Sequence, residues 1–218
     1  MWIYRLDMKN ILDFSSFLFE RELPDSQGKI IVILGPPGSG KGTVTKILKN
    51  DYEFQEVKVK ELMTSDPTKA SKDNVVTERG MMDLLKERIK SLDLSKNIVF
   101  DGFPRTRKQS VILDKVLGEM GIGLNHAVFL DIEKDVAVNR LRKKAEKDGK
   151  KFDSAAVEEK FQDYEVRTLP VIDQYKKSRK MIEIKDLGDA EKVSEKIVKR
   201  LKIKKIASEK PEAENKKA

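Results

Sequence analysis

Short apolar runs alternate along the chain with longer stretches in which apolar positions recur every three or four residues. Residues 29–34, Lys-Ile-Ile-Val-Ile-Leu, are almost wholly apolar and mostly β-branched, the pattern of a strand buried on both faces of a parallel sheet. Val44, Ile47 and Leu48 then fall at helical spacing among Thr45, Lys46 and Lys49. Further strands are predicted at 52–59, 97–101, 127–132 and 181–184. Between them the spacing predicts a short helix at 60–63, a helix capped by Thr77 with Met81, Met82, Leu85 and Ile89 on one face, and helices at 111–120 and 135–147. A long helix starts at Ser154, with Val157, Phe161 and Tyr164 on one face and Pro170 bending it. In a last helix Ala190, Val193, Ile197, Val198 and Leu201 face inward. This alternation predicts an α/β fold, a five-stranded parallel sheet with helices on both faces. Ligands of such sheets bind at the carboxyl ends of the strands, near a topological switch point.

The ends of the chain read differently. Residues 1–27 precede the first strand; Ile11, Phe14, Phe17 and Leu18 suit an amphipathic helix that packs on the domain, binds a partner or lies on a membrane surface. Mixed rather than basic polar positions favour packing. The tail 206–218 is rich in Lys, Glu, Ala and Pro, a composition that predicts disorder. The net charge of +8 comes largely from residues 199–218, which hold eight Lys/Arg against three Glu. We therefore read the excess as a solvated tail rather than a nucleic-acid surface. With no Cys and one His, disulfides, thiolate metal sites and cysteine nucleophiles are excluded. No apolar run is long enough to span a membrane and no signal peptide is evident. A cytoplasmic monomer is expected, with residues 28–205 as its single domain.

The candidate chemistry begins at 35–43, where Gly35, Pro36, Pro37, Gly38, Ser39, Gly40, Lys41, Gly42 and Thr43 join the first strand to the first helix. Glycines let successive N–H groups turn inward toward an anion, and the helix N-terminus adds its positive end. Lys41 supplies a mobile charge for the outer phosphates. The spacing fits a Walker A loop, except that Gly42 follows the lysine and the hydroxyl comes one later, at Thr43. A second cluster, Asp101-Gly102-Phe103-Pro104-Arg105 with Gln109 four residues on, ends the third strand. A carboxylate there can hold Mg2+ through water, and the arginine can take a phosphoryl group with a forked pair of hydrogen bonds.

The form Gly-x-Pro-Gly-x-Gly-Lys-Gly-Thr resembles the nucleoside monophosphate kinases, and with Asp101–Arg105 and Gln109 it closely resembles the adenylate kinases, in order from about Gly28 to Leu201. The resemblance implies a P-loop nucleoside monophosphate kinase fold with a short lid, and transfer of the ATP γ-phosphoryl to AMP with Mg2+. It assigns the ATP phosphates to Lys41 and the loop N–H groups, the metal's water shell to Asp101, the acceptor phosphate to Arg105 beside Gly102, and the acceptor base to Gln109. Thr106 matches adenylate kinases, whereas UMP/CMP kinases usually carry Asn there. Arg140 matches the arginine flanking the ATP adenine, and Gly188, Asp189 and Ala190 match the loop lining it.

Several positions depart from that pattern. The family's Thr-Gly-Asp-Leu-Leu-Arg falls on residues 59–64, so that Val59 and Thr64 replace its Thr and Arg. The acceptor arm, about 58–76, is short. In the lid, about 144–154, Lys144 and Lys150–Lys151 stand where arginines are usual, as does Lys160 beyond it. A lysine keeps the charge but loses the fork, so weakened AMP recognition is expected, with Lys58 or Lys60 substituting in the arm. Two alternatives stay open: a P-loop kinase for another nucleotide or a small metabolite, and a non-catalytic ATP-binding protein.

Overall fold

The computed structural model describes residues 28–59, 61–62, 77–185 and 188–205. The reading of residues 1–27 as a helix, the tail 206–218, Lys60, Thr64 and most of the acceptor arm lie outside them.

Strand β1 (Ile30–Leu34) has no polar residue, and the structure gives the reason. Its side chains alternate between two separate cores, as the two-residue period of a strand requires. Ile30, Val32 and Leu34 join one core, and Ile31 and Ile33 the other. β1 pairs in parallel with β3 (Ile98–Asp101) on one side and β4 (His126–Leu130) on the other. β2 (Gln55–Val57) and β5 (Met181–Ile184) complete the sheet, whose order is β2-β3-β1-β4-β5.

Helix α1 (Lys41–Tyr52) follows β1, and α7 (Ala190–Leu201) follows β5. They share one face: Val44, Leu48 and Tyr52 pack with Val193, Ile197, Val198 and Leu201. The opposite face is covered by α2 (Glu78–Lys90), α3 (Arg107–Glu119) and α6 (Leu169–Lys177), through residues such as Leu85, Leu113 and Tyr175. α4 (Lys134–Lys147) and α5 (Ser154–Asp163) flank the connector 148–153. The chain leaves β1 toward one face and the neighbouring β3 toward the other. A crevice therefore opens between their carboxyl ends, which is where such sheets bind ligands.

Three helices, α2, α3 and α5, start at side-chain caps. Thr77 Oγ1 accepts from Gly80 N at 3.0 Å, Thr106 Oγ1 from Gln109 N at 3.2 Å, and Asp153 Oδ1 from Ala156 N at 3.0 Å. Each such cap contributes about 1 kcal/mol. The Thr106 cap starts α3 at Arg107, four residues before the apolar spacing alone predicts. Tyr52, expected in a strand, instead ends α1. Leu48 and Tyr52 lie one turn apart on its buried face, and Glu53 closes the helix at φ 54°. The expected bend at Pro170 takes a specific form. Residues Tyr164–Thr168 are π-helical, and Leu169 N–H donates to Tyr164 O five residues back. Proline has no N–H for the carbonyl four residues before it, and the wider turn upstream absorbs the mismatch.

Candidate active site

The phosphate loop curls because its glycines take backbone angles that other residues avoid. Gly38 has φ 80°, and a Cβ there would stand 2.4 Å from Ala137 O of α4. Gly40 has φ 89° and open space before it, with no atom within 4 Å of a Cβ built on it. Gly40 caps α1 without a side-chain hydrogen bond, and the first turn carries no acidic residue. The positive end of α1 therefore faces the crevice without a protein counter-charge on its own turn.

Lys41 folds back over this loop. Its Nζ donates to Gly35 O at 2.7 Å and Pro36 O at 2.9 Å, with Ser39 Oγ at 3.4 Å. Burial pulls its pKa down to about 8, a shift that Asp101 opposes and Arg105 reinforces. Asp101 ends β3 beside Ile33, and its Oδ2 lies 3.8 Å from a Cβ built on Gly42. Its carboxylate thus faces Gly42 at the start of α1.

Arg105 is held at both ends of its backbone and at its head group. Its N–H donates to Gln109 Oε1 at 2.7 Å, its carbonyl accepts from Thr168 Oγ1 at 3.3 Å, and its Nε donates to Gly102 O at 2.9 Å. Two cavities meet at Lys41, Gly102 and Arg105. One, about 530 Å3, also takes in Gly35, Pro37 and Lys160; the other, about 910 Å3, takes in Gly38 to Thr43, Asp101, Arg140, Lys144, Gly188 and Ala190. These residues, drawn from five separate stretches of chain, thus converge on one crevice.

A family model described as adenylate kinase matches residues 33–180. The chain belongs to the adenylate kinase family. It is 30% identical over 183 residues to an adenylate kinase of Xanthomonas euvesicatoria pv. vesicatoria (strain 85-10), covering 78% of this chain and 98% of that protein. An adenylate kinase of Xylella fastidiosa (strain 9a5c) is 30% identical over 180 residues, covering 77% of this chain and 96% of the relative. One from Leptospira biflexa serovar Patoc (strain Patoc 1 / Ames) is 29% identical over 183 residues.

Within this adenylate kinase scaffold the remaining candidates are distributed unevenly. Lys58 lines the larger cavity, whereas Val59 is buried in the core and lines neither. Gln109 also lines neither cavity; its carbonyl oxygen holds the Arg105 backbone. Asp189 caps α7 from an exposed position and pairs with Lys192 at 3.9 Å. Lys150 and Lys151 are exposed and stand outside both cavities. The connector between α4 and α5 is anchored at its base. Arg142 lies 5.0 Å from the Phe152 ring centroid, and Lys134 pairs with Glu158 at 2.9 Å.

Other lining residues have no motif to announce them. Glu159, Asp163 and Tyr164 line the smaller cavity from α5 and the π-turn, and Lys46 and Glu61 line the larger. Lys46 lies one helical turn beyond Thr43, a spacing that could have flagged it. Burial and the nearby Asp131 and Glu165 carboxylates hold Tyr164 protonated, so it keeps a hydroxyl in the cavity.

Proposed function

We propose that the protein transfers the γ-phosphoryl group of ATP to AMP, giving two ADP, with Lys41 and the 35–43 loop on the ATP phosphates and Arg105 on the acceptor phosphate. The observation that carries this reading is the convergence of Lys41, Asp101, Arg105, Arg140, Lys144 and Lys160 on one crevice at the carboxyl ends of β1 and β3. Phosphoryl transfer needs little covalent chemistry from a protein; positioning and positive charge around the moving group do most of the work.

Lys41 is pre-placed for that task. It satisfies its ammonium on Gly35 O and Pro36 O, and phosphate oxygens are stronger acceptors than those neutral carbonyls. Arg105 is oriented before substrate arrives, because Gln109, Thr168 and Gly102 fix it. Arg140, with Gly188 and Ala190, offers a site for the adenine of ATP. Lys144 and Lys160 approach from the lid side and supply charge without a fork.

The residues suit a magnesium ion. The donors available at the loop, Asp101 and the Thr43 hydroxyl, are oxygen only, as a hard cation prefers. Asp101 would act through water. Held there with ATP, such an ion would supply positive charge that offsets the phosphates.

The acceptor side is weaker. Val59 is spent in the core, so Arg105 is the main anchor and a high KM for AMP follows. The reading takes the protein to be a monomer acting in the cytoplasm. A coupled assay over AMP, GMP, CMP, UMP and small hydroxylated metabolites tests it: turnover fastest with AMP is expected. Turnover confined to another acceptor would replace AMP in this account, and ATP binding without any turnover would end it.

A further inference from the structure

Lys58 is exposed, its side chain 43% accessible, but it is ion-paired. It follows β2 and starts a tight turn in which Glu61 N and Leu62 N both donate to Lys58 O, at 3.0 and 3.2 Å. That turn brings Glu61 back over Lys58. The ammonium lies 3.4 Å from Glu61 Oε1 and 3.6 Å from Glu56 Oε2. The two carboxylates are unequal. Glu56 is fixed on β2 with its side chain only 12% exposed, whereas the Glu61 side chain is 72% exposed on the turn. Arg88 of α2 ties that edge down by donating to Glu56 O at 3.1 Å. Lys58 and Glu61 line the same cavity as Asp101, Arg105 and the phosphate loop.

We propose that Lys58 is the acceptor arm's phosphate cation, and that Glu61 is a displaceable counter-charge that the acceptor phosphate must replace, which makes Glu61 a determinant of acceptor affinity. The inference rests on the reading of the acceptor as a nucleoside monophosphate. A phosphate dianion brings more charge and more acceptor oxygens than one carboxylate, so it wins Lys58 at close range. Exposed ion pairs are weak, which suits a contact that exchanges at each turnover. Glu56, which does not line that cavity, stays in place as the second partner of Lys58. The two carboxylates raise the pKa of the ammonium, the charge of Glu56 being the largest single cause and the hydrogen bond and charge of Glu61 following. A lysine is already charged at neutral pH, so what Glu61 controls is access to the cation.

The test is equilibrium titration of AMP into the wild-type chain, Glu61→Gln, Lys58→Met and the double variant, with thermal midpoints as a check on folding. Glu61→Gln should bind AMP roughly two- to fivefold more tightly, the range an exposed ion pair spans. Lys58→Met should bind it more weakly, and in the Lys58→Met background the Glu61 change should bring no gain. An unchanged or weakened Glu61→Gln overturns the proposal, as does a gain that persists without Lys58, since that would be general repulsion rather than competition for one cation. AMP bound with one affinity by all four proteins sinks this inference and leaves the acceptor reading standing. AMP bound by none of them sinks both.

Discussion

Titrating MgATP into the protein and its Lys41→Met variant at two pH values tests whether Lys41 sits against the phosphates. Without ligand its pKa is about 8, because burial costs the ammonium more than Asp101 returns. Bound phosphates would restore a value near that of an ordinary lysine. At pH 8.5 a pKa of about 8 leaves about a quarter of the molecules protonated, so binding should take up about 0.8 proton; at pH 7 the uptake falls to about 0.1. Phosphate itself contributes little in that range, its last ionisation lying near 6. Calorimetry in buffers of different ionisation enthalpy reads the uptake directly. The variant should show none above pH 8. The free protein carries the same linkage. Its folded-state lysine lies below the unfolded value, so between about 8 and 10.5 the unfolded chain binds more protons and stability rises with pH. Below pH 8 both states hold the proton and the burial cost is present in full. Equal uptake at both pH values, or uptake that survives Lys41→Met, would refute the placement.

Asp101→Asn should depress turnover by at least an order of magnitude and weaken its Mg2+ dependence while ATP still binds; an unchanged Mg2+ titration counts against the role. Thr168→Val removes the hydroxyl that holds Arg105 O, a contact of about 1 kcal/mol, so KM for AMP should rise up to about fivefold with little change for MgATP. Thr168→Ser should restore it, and failure of that rescue points to packing instead. Asp114 of α3 has a buried Oδ2 with no hydrogen-bond partner, and burial raises its pKa to about 7. From about 4 to 7 the folded state keeps a proton that the unfolded chain releases, so stability falls as pH rises through that window. Asp114→Asn should flatten the fall and raise the melting temperature at pH 8 by a few degrees. Identical pH–stability curves for variant and wild type would contradict this.

The strands of the sheet and its phosphate loop were legible because a strand buried on both faces leaves no room for polar residues. Ile30–Leu34 and Ile98–Phe100 show this. The loop was legible because its glycines, lysine and hydroxyl have one spacing that works. The start of the strand predicted at 52–59 was not, since Tyr52 and Phe54 satisfy either period and the packing of Tyr52 with Leu48 belongs to the helix, leaving β2 at Gln55–Val57. The π-turn was hidden too. A proline announces a break, but not whether the chain kinks or widens; in the fold Thr168, at the end of the turn, donates to the distant Arg105 O. The same holds for Gln109. Its place after Arg105 was visible, yet its hold on the Arg105 backbone appears only once α3 is capped at Thr106. Glu159, Asp163 and Glu61 look in sequence like ordinary solvent-facing charges and become cavity walls through tertiary placement alone.

The central claim is that one crevice brings two nucleotides together for direct transfer. Phosphorus NMR of equimolar ATP and AMP with Mg2+ follows every species at once. The account predicts loss of the ATP β-phosphate signal matched by two ADP for each AMP consumed, reversal from ADP alone, and neither process with Lys41→Met. ATP loss with release of inorganic phosphate and no change in AMP would contradict it.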